Sequence, residues 1–273
     1  MKKRLWYLVL CALFLSTLMP VTALGATTFH VSNWMDLSDL LNGGLLADGD
    51  IIDLLADINY TSAVTPAVVS KDITFDVGEY TLTFTNTTDN GIALEVGAGG
   101  RVRLEATTGE LNVTTSGRRG RAIYAHDGGV AAVTSATASD SDSCAAYAKG
   151  TGSTIAIARD VTATGTEATG LYAYEDGTIE VGRHVQVSGD DTTGICVIDE
   201  GTVEVGGDVQ VSGEESYGVK YDYEGTVTID GGLSVQGLGC MGVNLSHGGG
   251  FIQVGRRIVV DGEYCIGVYP GLA

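Results

Sequence analysis

Hydrophobic and polar residues alternate in short runs along most of this chain, and the runs recur at a fixed interval. In Gly201–Glu224, Val203 and Val205 are followed by Val209 and Val211, with Glu204, Asp208 and Gln210 between them. Such alternation puts one side of a strand inside and the other in water. A third run, Gly218-Val219-Lys220-Tyr221, follows a turn. The same 24-residue phrase is written three times: GTIEVGRHVQVSGDDTTGICVIDE from Gly177, GTVEVGGDVQVSGEESYGVKYDYE from Gly201 and GTVTIDGGLSVQGLGCMGVNLSHG from Gly225. A period of this size predicts a stack of similar units. Four strand residues span only about 13 Å, so three short strands and three corners close one triangular coil.

The columns extend beyond the clear repeats. A small residue followed by a larger one marks the third strand at Gly91-Ile92, Ala122-Ile123, Ala146-Tyr147, Gly170-Leu171, Gly194-Ile195, Gly218-Val219, Gly242-Val243 and Gly267-Val268. These steps are 24 or 25 residues, except for a first step of 31 that predicts a loop inserted around Gly109–Gly117. Eight coils at about 4.8 Å each make a rod on the order of 40 Å long. Val181, Val205, Ile229 and Val254 would form one inward ladder, and Val187, Val211, Val235 and Val260 another. A β-sandwich also alternates, but it does not require a constant period.

Three segments follow. Residues 1–25 read as a signal peptide: Lys2-Lys3-Arg4, the apolar Leu5–Leu18, and small residues at Ala23 and Gly25 before the cut. The apolar run is short for a membrane span, so no retained span is expected. Residues 26–70 read as a cap and first coil. Thr28–Val31 is a strand, and Ser32-Asn33 starts a short helix with Trp34, Leu37, Leu40 and Leu41 on one side. Residues 71–273 are the coil stack. No capping helix follows Tyr269, so the expectation is end-to-end association or a continuing chain, since an open coil exposes unpaired backbone.

The opening pattern adds a resemblance. The Thr28–Val31 strand, Trp34-x-x-Leu37, Gly49-Asp50 and Asp57-Ile58 are followed by Lys71-Asp72-Ile73-Thr74-Phe75 and Tyr80-Thr81-Leu82-Thr83-Phe84. This resembles the N-terminal part of the pectin-lyase-like superfamily, in the style of repetitive secreted or surface proteins of Gram-positive bacteria. The resemblance implies an all-β fold: a right-handed three-faced parallel β-helix of about 24 residues per coil, with an N-terminal cap. Left-handed forms typically use hexapeptide repeats. The superfamily includes lyases, hydrolases and adhesins, so fold alone does not choose an activity.

Composition agrees with short strands and tight turns: 40 Gly and only 3 Pro. Charge narrows the partners. Asp and Glu number 34 against 15 Lys and Arg, a net charge of −19, which disfavours nucleic acid. Loss of Lys2, Lys3 and Arg4 with the leader makes the remainder more acidic still.

Three kinds of candidate chemistry remain. Tyr124 and Tyr172 share an outward column, and Tyr174, Tyr221 and Tyr223 lie on the same strands or their turns. Exposed tyrosines stack on carbohydrate, with Asp199 and Glu224 placed to accept hydroxyl hydrogen bonds. Glu167, Asp191 and Glu215 fall in one corner column, with Asp190 and Glu214 beside them. Stacked carboxylates repel unless solvent or a cation intervenes, and calcium, with its 6–8 oxygen ligands, is the candidate. Cys240 and Cys265 occupy one column on adjacent coils, a spacing that leaves a disulfide open. Thr154, Thr178, Thr202 and Thr226 also align, but Glu180 and Glu204 interrupt a flat Thr-x-Thr face.

Catalysis meets a geometric obstacle. Fragments of a polygalacturonase-type motif set occur in order: Asn86-Thr87-Thr88-Asp89, Gly189-Asp190-Asp191, His247-Gly248 and Arg257-Ile258. An inverting carboxylate pair must stand about 6.5–9.5 Å apart, whereas Asp89 and Asp190 fall four coils, roughly 19 Å, apart. The expected function is therefore a secreted or surface β-helix scaffold of adhesin type, binding glycan or protein through outward residues. A polysaccharide-active lyase or glycoside hydrolase is the alternative.

Overall fold

A computed structural model describes residues 25–62, 66–245 and 250–270. The leader predicted over residues 1–25 lies almost wholly outside them, as do His247 and Gly248. The described chain is a three-faced parallel β-solenoid. Sheet A has ten strands, from Thr28–Val31 to Gly250–Val254. Sheet B has nine, from Ile58–Ser62 to Ile258–Asp261, and sheet C has nine, from Ala67–Val69 to Ile266–Tyr269. Every recorded pairing is parallel, with the neighbour one coil away. One coil illustrates the unit: Gly201–Val205 in sheet A, Val209–Ser212 in sheet B and Tyr217–Asp222 in sheet C.

Alternation decides which side chains enter the core. Val181, Val205, Ile229 and Val254 pair in register, as do Val187, Val211, Val235 and Val260. Most of these are buried, and each fully buried Val contributes roughly 1.5–3 kcal/mol. The first coils differ. Tyr60, Phe75 and Phe84 pack edge to face at centroid distances of 5.4 and 5.8 Å. Larger rings need a wider coil, and the strands there are longer: Asp72–Gly78 has 7 residues, against 4 for Thr178–Val181. The extra length predicted as a loop at Gly109–Gly117 is instead the sheet B strand Glu110–Thr115. The long step places Leu94, not Ile92, beside Ile123, and Ala146 beside Ile123 on the other side.

Corners are built from repeated devices. Between sheets B and C, Gly189, Gly213 and Gly237 hold φ of 133°, 142° and 146°. A Cβ on Gly213 would overlap the Gly189 carbonyl oxygen of the coil below. Between sheets A and B, side chains cap the next coil. Asp160 Oδ1 accepts from His184 N–H at 3.2 Å, His184 Nδ1 from Asp208 N–H at 3.0 Å, and Asp208 Oδ1 from Gly232 N–H at 2.8 Å. Corner backbone would otherwise lack partners, and buried amides demand them.

The N-terminal end is covered by the helix Trp34–Asn42. Asn33 caps it, its Oδ1 accepting from the N–H groups of Met35 at 3.0 Å and Asp36 at 3.1 Å. Leu37 is fully buried and Leu40 and Leu41 pack on the core, but Trp34 points outward, 53% exposed. Among the described residues no helix is long and apolar enough to cross a membrane.

Two outward faces frame the function. On sheet B, Thr162, Gln186, Gln210 and Ser234 pair in register, and Thr164, Ser188, Ser212 and Gln236 form the parallel column. On sheet C the outward columns carry aromatic and cationic residues.

Candidate functional site

Sheet C presents three tyrosines in a row. Tyr124 pairs with Tyr147, and Tyr147 with Tyr172, on three successive coils. Tyr124 and Tyr147 stack at 5.1 Å between centroids and 29° between planes, and Tyr147 meets Tyr172 edge to face at 4.7 Å. Tyr172 touches Tyr174, two residues along the strand, at 6.5 Å. Strand spacing of about 4.8 Å brings the rings into van der Waals contact, each pair adding about 0.5–1.5 kcal/mol.

Cations lie on the rings. The Arg121 guanidinium sits 4.8 Å from the Tyr124 centroid and 4.5 Å from that of Tyr147. Among the described residues it makes no ion pair. Lys149 Nζ stands 5.2 Å from the Tyr174 ring and 3.7 Å from Glu175 Oε2. Beyond Tyr124, His126 Nε2 lies 3.0 Å from Glu95 Oε1, and its Nδ1 is 2.8 Å from Asp127 Oδ2. The strip thus combines apolar rings, positive edges and flanking carboxylates. Burial pushes the Tyr147 phenol up to about 12, with Arg121 opposing, and burial raises Tyr172 further. Both hydroxyls remain donors at neutral pH.

Tyr147 was missed because the spacing argument placed Ala146-Tyr147 where the register puts Ala145-Ala146. A uniform 24-residue step cannot reveal a coil of 23 residues following a longer one; Ile123 pairs with Ala146 and Leu171 follows in the same column. Tyr221 is a correction: it points inward, buried, and its hydroxyl donates to the Phe251 carbonyl at 2.7 Å. Its register partner Val197 is inward too, and Gly250 leaves the ring its room. Tyr223 is 56% exposed but occupies a corner at φ 71°, off the strip. Asp199 and Glu224 are corner residues of later coils and do not flank the Tyr124–Tyr172 row.

The acidic column forms as expected, with a backbone role. Glu167, Asp191 and Glu215 all take the left-handed turn position, at φ 60°, 57° and 53°. Their N–H groups donate to the carbonyls of Asp190, Glu214 and Leu238 on the next coil. Asp190 Oδ1 accepts from the Glu214 N–H at 3.0 Å. Among the described residues, no three acidic, His or Cys side chains converge as metal ligands would. Glu167 is pushed up by sharing a proton with Asp142, whose own carboxyl is held low by Glu167 and by Arg119 and Arg118.

Cys240 and Cys265 stack as free thiols, each turned to a glycine carbonyl: Gly213 at 3.1 Å and Gly237 at 3.0 Å. Cys144 and Cys196 border the tyrosine row. Burial pushes their thiols up to about 12 and about 11, so neither offers a thiolate at neutral pH.

Asp89 and Asp190 follow sheet B strands four places apart, Thr81–Asn86 and Val185–Ser188. A hollow of about 510 Å³ on sheet A, floored by Ala132 and Ala156, is flanked by Glu180 and Glu204, which pair in register. Sequence reasoning treated those two only as interruptions of the threonine ladder, which does form. Comparison of the chain with protein-family models, curated proteins and solved structures gave no match.

Proposed function

We propose that this chain is an extracellular scaffold of adhesin type, related to pectin-lyase-like solenoids of Gram-positive surface proteins, and that it binds a glycan along the sheet C strip. The observation that carries this reading is the Tyr124–Tyr147–Tyr172 row with Arg121 lying across two of its rings. Tyrosine offers a rigid apolar body and a polar tip, which suits the mixed surface of a sugar. Glu95, Asp127 and Glu175 at the margins supply acceptors for ligand hydroxyls. Export is supported by Lys2-Lys3-Arg4, the apolar Leu5–Leu18 and the small residues at Ala23 and Gly25. Repetition favours a scaffold: the inward columns are kept from coil to coil while the outward ones change.

A glycan array with immobilised protein tests the reading. Retained signal that falls at least tenfold in Tyr147→Ala supports it; equal signal in the variant sinks it. A protein ligand would appear instead as binding to deglycosylated surface extracts. The alternative, a polysaccharide-active enzyme, predicts release of reducing or unsaturated ends from acidic polysaccharides. Loss of that release in Glu180→Gln or Glu204→Gln would point to the sheet A hollow.

A further inference from the structure

Sheet B carries a second surface of different chemistry. In the strands from Val161–Thr164 to Leu233–Gln236, the two outward columns are Thr, Ser or Gln at every position. They line an elongated hollow of about 390 Å³. Among the described residues, none of these side chains makes a hydrogen bond within the chain. On the preceding coils the same face is satisfied internally. There Ser135 Oγ donates to Asn112 Oδ1 at 2.6 Å, and Thr85 Oγ1 to Asn59 Oδ1 at 3.3 Å. The contrast isolates four coils whose amides and hydroxyls are unspent. An adjoining hollow of about 580 Å³ shares Gln210, Ser234 and Gln236 and reaches Arg256 and Arg257, so charge stands at the margin and not within.

We propose that this face binds a neutral, hydroxyl-rich polysaccharide chain. Each Gln amide offers donors and an acceptor, and each hydroxyl offers both, which matches sugar hydroxyls that are likewise both. The array repeats about every 4.8 Å across strands and every 6.6 Å or so along them, and suits a ligand that is itself a repeat. Charge selects against the other occupants. A net charge of −19 repels acidic glycans, nucleic acids and further copies of the chain, but not a neutral polymer. Size also argues against a second copy. Four strands by four residues cover roughly 200 Å², well below the ~800 Å² per partner of a stable protein interface. The face is separate from the tyrosine strip, and the two sites stand or fall independently.

Depletion isotherms of the full chain on insoluble cellulose and curdlan, with affinity gels containing soluble neutral β-glucan or polygalacturonate, test the proposal. Retention is expected on at least one neutral polymer and not on polygalacturonate. The pair Gln186→Glu with Gln210→Glu should weaken it at least tenfold, while Tyr147→Ala leaves it unchanged. Circular dichroism checks the fold, and Gln186→Ala with Gln210→Ala serves if the glutamates disturb it. No retention on any neutral polymer, or undiminished retention in both paired variants, overturns the idea. So does a dimer in sedimentation that the paired variants abolish without any sugar binding.

Discussion

The outer faces of sheets B and C are built on the same coils yet use their side chains in opposite ways. On sheet C, Tyr124, Tyr147, Tyr172 and Arg121 turn their contacts on one another. On sheet B, Gln186, Gln210 and Ser212 leave theirs to solvent. Inward columns differ far less, because a parallel solenoid stacks like on like and a misfit there disturbs two neighbouring coils. The fold therefore fixes one set of positions and frees the other. Any binding specificity belongs to the freed set.

The largest expected effect tests that division within one strand. Val211→Asp buries an unpaired carboxylate among Val187 and Val235 and should cost more than ~3 kcal/mol, enough to unfold the coil. Its outward neighbour Gln210→Asp should stay within ~0.5 kcal/mol. Urea unfolding of the two variants measures the gap, and similar midpoints would break the inward–outward distinction. Next comes the corner that both faces share. Gly213→Ala must hold alanine at φ 142° against the Gly189 carbonyl, and should cost roughly 1–3 kcal/mol by the same assay.

On sheet C, Tyr147→Ala removes two ring contacts and the Arg121 seat, and should destabilise by about 1–3 kcal/mol besides weakening glycan binding. Tyr223→Ala, in the exposed corner, should change neither. Equal effects would mean that the row is not a unit.

The smallest effect concerns the acidic corners. Glu200 is fully exposed, and its carboxyl is raised above its ordinary value by sharing a proton with Asp176 and by that residue's charge. A raised folded-state value means that the ionised form is disfavoured in the fold. Stability should thus rise slightly as pH falls from 7 through that value, and Glu200→Gln should give a small upward shift in melting temperature at pH 7. Asp72 acts in the other sense: Arg103 holds it low, so its contribution is lost only at more acid pH. A melting temperature of the Gln variant below that of the parent at pH 7 would contradict the first sign.

Much of this was legible in the chain. The three strands per coil, the two valine and isoleucine ladders, the Asn33 cap, the corner column of Glu167, Asp191 and Glu215 and the adjacency of Cys240 and Cys265 all follow from local pattern and period. The sheet C strip was legible only in part. Tyr124, Tyr172 and Tyr174 could be placed, but Tyr147 was hidden by a one-residue change of step, and Tyr221 was assigned to the wrong side of its strand. In a strand, an error of one residue reverses the face. The opening region was harder, because Phe75 and Phe84 widen the coil and lengthen its strands.

The sequence by itself determined a parallel stack with a Gly-rich, acidic exterior and an apolar interior, since alternation and period are local properties that every coil repeats. Register decided the rest. Which tyrosines touch, which carboxylate shares a proton and which amides stay unsatisfied depend on pairings between residues about 24 positions apart. Only closing each coil on the one below selects them.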